Sequence, residues 1–252
     1  MNIYVLDFDG VICDSARETG ASAWKAGCKI WHEWDSDLPP DALLRRFVRL
    51  RPVIETGHES VLLMRLIWLD RSDHDILRRF PDLCSELAAG DGLDKRELVA
   101  FFGETRDEWI RKDPKGWMNM NRFYPGVIGR IRSAMAESEI FILTTKQERF
   151  ARMLLAAENL SFDEHHLVGL DRGIPKEETL EHLLQHQDDS GLSIHFVEDR
   201  IKTLIRVMNR ESLNKINLYL ARWGYVTEDD IARAGQNDRI CIWTLDDFLA
   251  GD

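Results

Sequence analysis

Long apolar runs are missing from this sequence. None approaches the ~18 residues that a membrane span needs, so no bilayer-crossing helix is expected. Cysteine is scarce. Cys13, Cys28, Cys84 and Cys241 are scattered and form no CxxC pair. That excludes a zinc knuckle or a disulfide framework and fits reduced thiols packed inside a cytoplasmic protein. The N-terminal stretch MNIYVLDFDG has no basic region and reaches an acid at Asp7, unlike a signal peptide. Positive charge is also short: 33 Lys+Arg stand against 44 Asp+Glu, for a net charge of −11. Such a chain repels phosphate backbones and anionic lipid, so no nucleic-acid or membrane partner is expected. A small anion in one local pocket remains compatible with this balance. No internal repeat and no low-complexity tract is present.

What is there is an ordinary globular mixture, with 44% hydrophobic and 31% charged residues in 252. The length suits one large domain or a domain carrying a sizeable insertion. Ile3 to Leu6 is an unbroken β-prone apolar run, the pattern of a strand buried on both faces of a parallel sheet. It stops at Asp7-Phe8-Asp9-Gly10, which places two acids at the carboxyl end of the strand, where open α/β sheets bind ligands.

From about Asp14 to Met118 the pattern becomes helical. Asp41–Leu50 and Ser60–Leu69 have helical periodicity, and Pro39-Pro40-Asp41 reads as a helix start. Gly90-Asp91-Gly92 reads as a turn, and Asp94 as the N-cap of a helix over Lys95–Phe102. Six of the eight tryptophans fall here (Trp24, Trp31, Trp34, Trp68, Trp109 and Trp117), which predicts a separate small helical core. After Tyr124-Pro125-Gly126 strands and helices alternate again. Strands are expected at Ile140–Leu143, Ile194–Val197, Ile216–Leu220 and Ile240–Trp243, with a further short one at Leu167-Val168. Helices are expected over Val127–Met135, Arg149–Asn159 and Glu177–His186. The fold class is therefore α/β, a parallel sheet covered on both faces. The domain organisation expected is a core of residues 1–14 and 119–252 with a helical insertion over 15–118.

In a parallel sheet the polar residues after each strand converge on one edge. Those residues are Asp7 and Asp9, Thr144, and Glu198 with Asp199. Carboxylates that close repel one another, and a hard divalent cation such as Mg2+ removes the conflict. Lys176 precedes a helix, where its charge opposes the local dipole; an anionic partner explains it better than helix stability does. This set supports phosphoryl transfer. Asp7 is the candidate nucleophile, forming an aspartyl-phosphate. Asp9 is the candidate acid, then base, for the leaving oxygen and for water. Thr144 and Lys176, with the Gly10 turn, are the candidate phosphate site. Asp7, the Asp9 carbonyl, Glu198 and Asp199 are the candidate metal ligands.

These residues carry a resemblance to the haloacid dehalogenase-like (HAD) hydrolase superfamily. Asp7-Phe8-Asp9-Gly10-Val11 is similar to its first motif, DxDGx. Phe141-Ile142-Leu143-Thr144 resembles the second, Lys176 after Gly173-Ile174-Pro175 the third, and Phe196-Val197-Glu198-Asp199 the fourth. Tyr124-Pro125-Gly126-Val127 resembles the segment that commonly precedes the second. The order is the family's, and the motifs span nearly the whole core. The resemblance implies a Rossmann-like core, an aspartate nucleophile, Mg2+ and phosphatase activity. It implies that the insertion after the first motif is a C1-type helical cap domain. The stretches Phe196–Arg200, Leu218–Leu220 and Trp223-Gly224-Tyr225 resemble those of some plant and cyanobacterial members of unassigned substrate. Two departures stand out: Glu198 where many relatives have Gly or Asp, and Thr203 where many place a further acid. Asp9 argues against dehalogenase chemistry, because family dehalogenases lack that acid.

The expected function is thus hydrolysis of a small phosphorylated metabolite. A phosphomutase on the same scaffold and a non-catalytic binding protein are the alternatives. Within RLRPVIETGHE, Arg49 and Arg51 are candidates for holding a negatively charged substrate tail; surface arginines in local ion pairs are the competing reading. His165-His166, and His182 with His186, lack any HExxH context and read as surface histidines.

Overall fold

The computed structural model describes residues 2–185 and 192–251. It divides into two compact units, Met1–Asp14 with Phe123–Asp252, and Ser15–Arg122.

The first unit is built on six parallel strands: β1 (Asn2–Leu6), β2 (Ser138–Leu143), β3 (Leu167–Val168), β4 (Ser193–Glu198), β5 (Asn217–Ala221) and β6 (Ile240–Trp243). Their spatial order is β3-β2-β1-β4-β5-β6. The strand carrying the first acids is therefore central, with Val5 paired to Phe141 on one side and Phe196 on the other. Successive side chains of a strand face opposite ways. Ile3 and Val5 join Phe141, Phe196, Leu218 and Ile240 in one buried cluster. That cluster is closed by Leu180 of α9 (Lys176–Gln185), Leu204 and Val207 of α10 (Ile201–Met208) and Ala234 of α11 (Glu228–Gly235). On the other face lie Tyr4, Leu6 and Ile142, with α7 (Val127–Ala134) packed on β2 and α12 (Leu245–Ala250) on β6. Both faces are covered, which is why these strands read as unbroken apolar runs. The short pair Leu167-Val168 is a true edge strand, held by Ile142 and Leu143 of β2.

The second unit is built of helices: α1 (Ala16–Ile30), α2 (Asp41–Leu50), α3 (Glu59–Trp68), α4 (Asp73–Asp91), α5 (Lys95–Lys112) and α6 (Pro114–Asn119). Its core is the expected aromatic one. Trp24 and Trp34 stack at 4.4 Å between ring centroids, and Trp31 tilts against Trp34 at 5.2 Å. Gly27 makes room for this, since a Cβ there would stand 1.9 Å from the Trp34 ring. Two helices differ from the sequence expectation. Helix α5 continues ten residues beyond Phe102, because Gly103 is tolerated in a helix whose other residues pack. Helix α4, expected only as part of the helical stretch and not as an element of its own, carries Pro81 and bends at Arg79, whose backbone is non-helical; proline removes a helix hydrogen bond and crowds the preceding turn. Asp94 caps α5 as expected, accepting from the N–H groups of Arg96 and Glu97.

One polar network is sealed inside this unit. Glu18 is fully buried and receives Arg106 in a forked contact, Nε to Oε1 at 2.8 Å and Nη2 to Oε2 at 2.7 Å. Trp117 Nε1 and Ser22 Oγ donate to the same Oε1 at 2.8 and 2.6 Å. A buried carboxylate is tolerable only with such a complete set of donors. Among the described residues, no helix is long and apolar enough to cross a membrane.

Candidate active site

Asp7, Thr144, Glu198 and Asp199 sit where strands stop. The Asp7 N–H donates to Val197 O at 3.0 Å, carrying the β1–β4 pairing one step past Leu6. The chain then turns tightly, with the N–H groups of Ile12 and Cys13 both donating to Phe8 O. The Thr144 N–H bonds Val168 O, holding that residue at the end of β2. Glu198 is the last residue of β4, Asp199 follows it, and Lys176 opens α9.

The structure brings Asp7, Glu198, Asp199 and Lys176 together. Lys176 Nζ stands 2.8 Å from Asp7 Oδ1 and 2.7 Å from Glu198 Oε2. The contact with Asp7 is an ion contact outside hydrogen-bond geometry. Glu198 Oε1 also accepts from the Arg200 N–H at 3.0 Å, so both oxygens of this fully buried acid are engaged. Asp199 Oδ2 accepts from the Tyr225 N–H at 2.8 Å. One oxygen from each of Asp7, Glu198 and Asp199 lies within 4.8 Å of the others.

Two of these buried carboxylates, Asp7 and Glu198, share the ammonium of Lys176, and burial governs their protonation. Burial pushes Asp7 up to about 7, against the pull of Lys176 and with help from Glu198 and Asp9. Burial likewise raises Glu198. For Lys176 burial acts to lower its value, but the flanking Asp7 and Glu198 carboxylates win and hold it above the ordinary lysine value. An oxygen-only donor set of three buried carboxylates, with one oxygen of each within 4.8 Å of the others, fits a hard divalent cation. Among the described residues this is the one grouping of three metal-capable side chains.

Gly10 has a different place from the one expected. Its N–H already donates to Cys13 O at 2.9 Å, so that group is not available to a phosphate. Glycine is required there for two other reasons. Its φ is +90°, and a Cβ would stand 1.9 Å from Asp199 Oδ2. Thr144 is buried, and its Oγ1 accepts from the Lys146 N–H at 3.0 Å. Thr203, at the position where an acid was looked for, receives Arg206 Nη2 on its hydroxyl at 3.2 Å.

Lys146 was not singled out from the sequence. Its side chain is fully buried, and Nζ lies 3.0 and 3.3 Å from the two oxygens of Asp9. The available signal was its position, a cation two residues past Thr144 at a strand's carboxyl end. Gly224 and Tyr225 stood out in the sequence only as part of a family-like stretch, with no role assigned at the site. A Cβ on Gly224 would stand 2.3 Å from Gly10 O and 2.5 Å from Asp199 Cβ, so the segment after β5 shapes the acid pocket.

The two arginine candidates are engaged inside the helical unit. Arg49 Nη2 contacts Asp73 Oδ2 at 3.2 Å, and the buried Arg51 donates from Nη1 to Ile54 O at 3.1 Å. His166 Nδ1 bonds Asp163 at 2.8 Å and His165 is exposed beside Glu164; His186 lies outside the described residues.

No protein-family model and no curated protein sequence matches the chain. Solved structures do match, over nearly its whole length. A predicted phosphatase from Clostridium acetobutylicum superposes with a TM-score of 0.60 at 15% identity, covering 99% of this chain and 97% of the other. A predicted phosphoglycolate phosphatase from Haemophilus somnus gives 0.59 at 16% identity, over 98% and 96%. A haloacid dehalogenase-like hydrolase from Streptococcus pneumoniae gives 0.56 at 15% identity, over 96% and 93%. With a central β1 ending in two acids and this likeness across both units' length, the chain has the fold of the haloacid dehalogenase-like hydrolases.

Proposed function

We propose that this protein is a Mg2+-dependent phosphatase that hydrolyses a small phosphomonoester through an aspartyl-phosphate on Asp7. The observation that carries this reading is the buried trio Asp7, Glu198 and Asp199, with the ammonium of Lys176 against the first two. Structural neighbours described as phosphatases support it. Asp7, Glu198, Asp199 and the Asp9 carbonyl would hold the ion. Bound there, it supplies the positive charge that lets an anionic phosphate approach a cluster of carboxylates.

The residues divide the work as follows. An oxygen of Asp7 attacks phosphorus; the new P–O bond forms as the ester P–O bond breaks, and Asp9 gives its proton to the departing oxygen. Water then attacks phosphorus, its proton passes to Asp9, and the bond to Asp7 breaks, restoring the carboxylate and releasing phosphate. The Lys146 N–H fills an acceptor site of Thr144 Oγ1, so the hydroxyl proton can be directed to a phosphate oxygen. Lys176 holds Asp7 in place and offers charge to the same phosphate.

We assign residues 1–14 and 119–252 to the catalytic core and read 15–118 as a C1-type cap domain that selects the organic part of the substrate. Arg49 and Arg51 are the candidates there for a negatively charged tail. The reading implies a phosphorylated metabolite as partner and a cytoplasmic location.

A panel of phosphomonoesters assayed with and without Mg2+ tests the proposal, with phosphoglycolate among the first. Phosphate release that is lost with EDTA and in a folded Asp7→Asn variant is expected. Turnover retained by Asp7→Asn would sink the mechanism. An isomerised product would indicate a mutase, and binding without turnover a ligand-binding role. Wild-type turnover of the true substrate by Arg49→Ala and Arg51→Ala would remove the specificity assignment.

A further inference from the structure

We propose that Lys146 is the positioning residue of Asp9, setting the carboxylate that activates water in the second half of the reaction. The inference rests on the phosphatase reading above. Its basis is geometric. The Lys146 side chain is fully buried while that of Asp9 is 16% exposed, and Nζ reaches both Asp9 oxygens, at 3.0 and 3.3 Å. Two contacts to one carboxylate fix its torsion as well as its position.

Lys146 is itself held at the end of β2. Its N–H bonds Thr144 Oγ1 at 3.0 Å, its carbonyl accepts from the Leu170 N–H at 3.1 Å, and its ammonium lies 5.8 Å from the centre of the Phe8 ring. The backbone of this residue thus orients the candidate phosphate ligand Thr144, and its side chain orients Asp9. A flexible lysine on the surface would do neither. Asp9 lies just past the end of β1, in an isolated bridge with Cys13, and Lys146 meets its side chain there.

The half-reactions respond differently to a misplaced Asp9. With an aryl phosphate the leaving oxygen departs without needing a proton, so Asp7 is still phosphorylated. Hydrolysis of the aspartyl-phosphate still requires Asp9 to take a proton from water. A misplacement of the order of 1 Å costs about 10²-fold, and that cost should fall on the second step.

Pre-steady-state turnover of p-nitrophenyl phosphate by the Mg2+-loaded protein tests this. In Lys146→Met, nitrophenolate release in the first turnover should stay near wild type, while steady turnover falls about 10²-fold. Asp9→Asn should give the same biphasic trace, the double variant should add little further loss, and Lys146→Arg should recover part of the steady rate. Equal slowing of both phases, or unchanged steady turnover, would overturn the assignment. If the wild-type protein turns over no phosphomonoester, the phosphatase reading fails on its own. The positioning claim is then decided by crystal structures of the wild type and Lys146→Met: a displaced Asp9 carboxylate supports it, and an unmoved one ends it.

Discussion

A Cβ atom on Gly10 would stand 1.9 Å from Oδ2 of Asp199. The first turn after β1 and the acid after β4 are therefore in direct contact, although 189 positions separate them in the chain. Tyr225 holds the same oxygen from the third side through its N–H.

Gly10→Ala should accordingly be costly twice. The methyl group would displace Asp199, and a non-glycine residue at φ +90° is strained by roughly 1–3 kcal/mol. Urea denaturation should show a lowered midpoint, and Mg2+ affinity measured by titration calorimetry should fall. Unchanged values for both would mean the two residues are not packed as described.

The Glu18–Arg106 pair makes a second test, confined to the helical unit. Arg106→Met leaves a carboxylate that is fully buried and has lost its forked partner. Breaking a buried pair from one side costs about 3–5 kcal/mol. Adding Glu18→Gln should return a large part of that loss, because a neutral amide can still accept from Trp117 and Ser22. Equal stability of the single and double variants in urea would contradict this account.

His195 predicts a pH dependence. Its ring lies between Tyr4 and Tyr219, at centroid distances of 5.0 and 5.7 Å, and burial lowers its value below the ordinary 6.5. The unfolded chain takes up a proton near 6.5, and the folded chain resists until lower pH. Between those two points the unfolded state binds more protons, so this residue's contribution to stability is complete above 6.5 and is lost as pH falls. His195→Phe keeps the ring and removes the titration. Its urea midpoint should depend less on pH below 6.5 than that of the wild type; identical slopes would refute the assignment.

The parallel sheet was legible because strands buried on both faces are written as apolar runs: Ile3–Leu6 and Ile240–Trp243 fall within or on the observed strands. The meeting of Asp7, Glu198 and Asp199 followed from the same logic, since parallel strands end on one edge, whereas Lys176 was read from its place at a helix start. Helix α4 was not legible, because Pro81 breaks the periodic signal that a bend tolerates. Gly10 was recognised as a site residue, but not its contact with Asp199: its N–H serves Cys13, and its missing side chain makes room for Asp199. Lys146 sat in plain view after Thr144, yet nothing local said that its ammonium would turn to Asp9.

By itself, then, the order of residues determined the α/β class and which acids stand at strand ends, because burial periodicity and strand polarity are local properties; the central place of β1 came from the strand order of the folded sheet. Only the tertiary structure decided which charge answers which: Lys146 to Asp9, Lys176 to Asp7 and Glu198, Arg106 to Glu18. The physical reason is reach. Such pairings depend on where long side chains arrive after the backbone has closed, and in a buried site each ammonium must settle on the carboxylates that its own strand or helix end can touch.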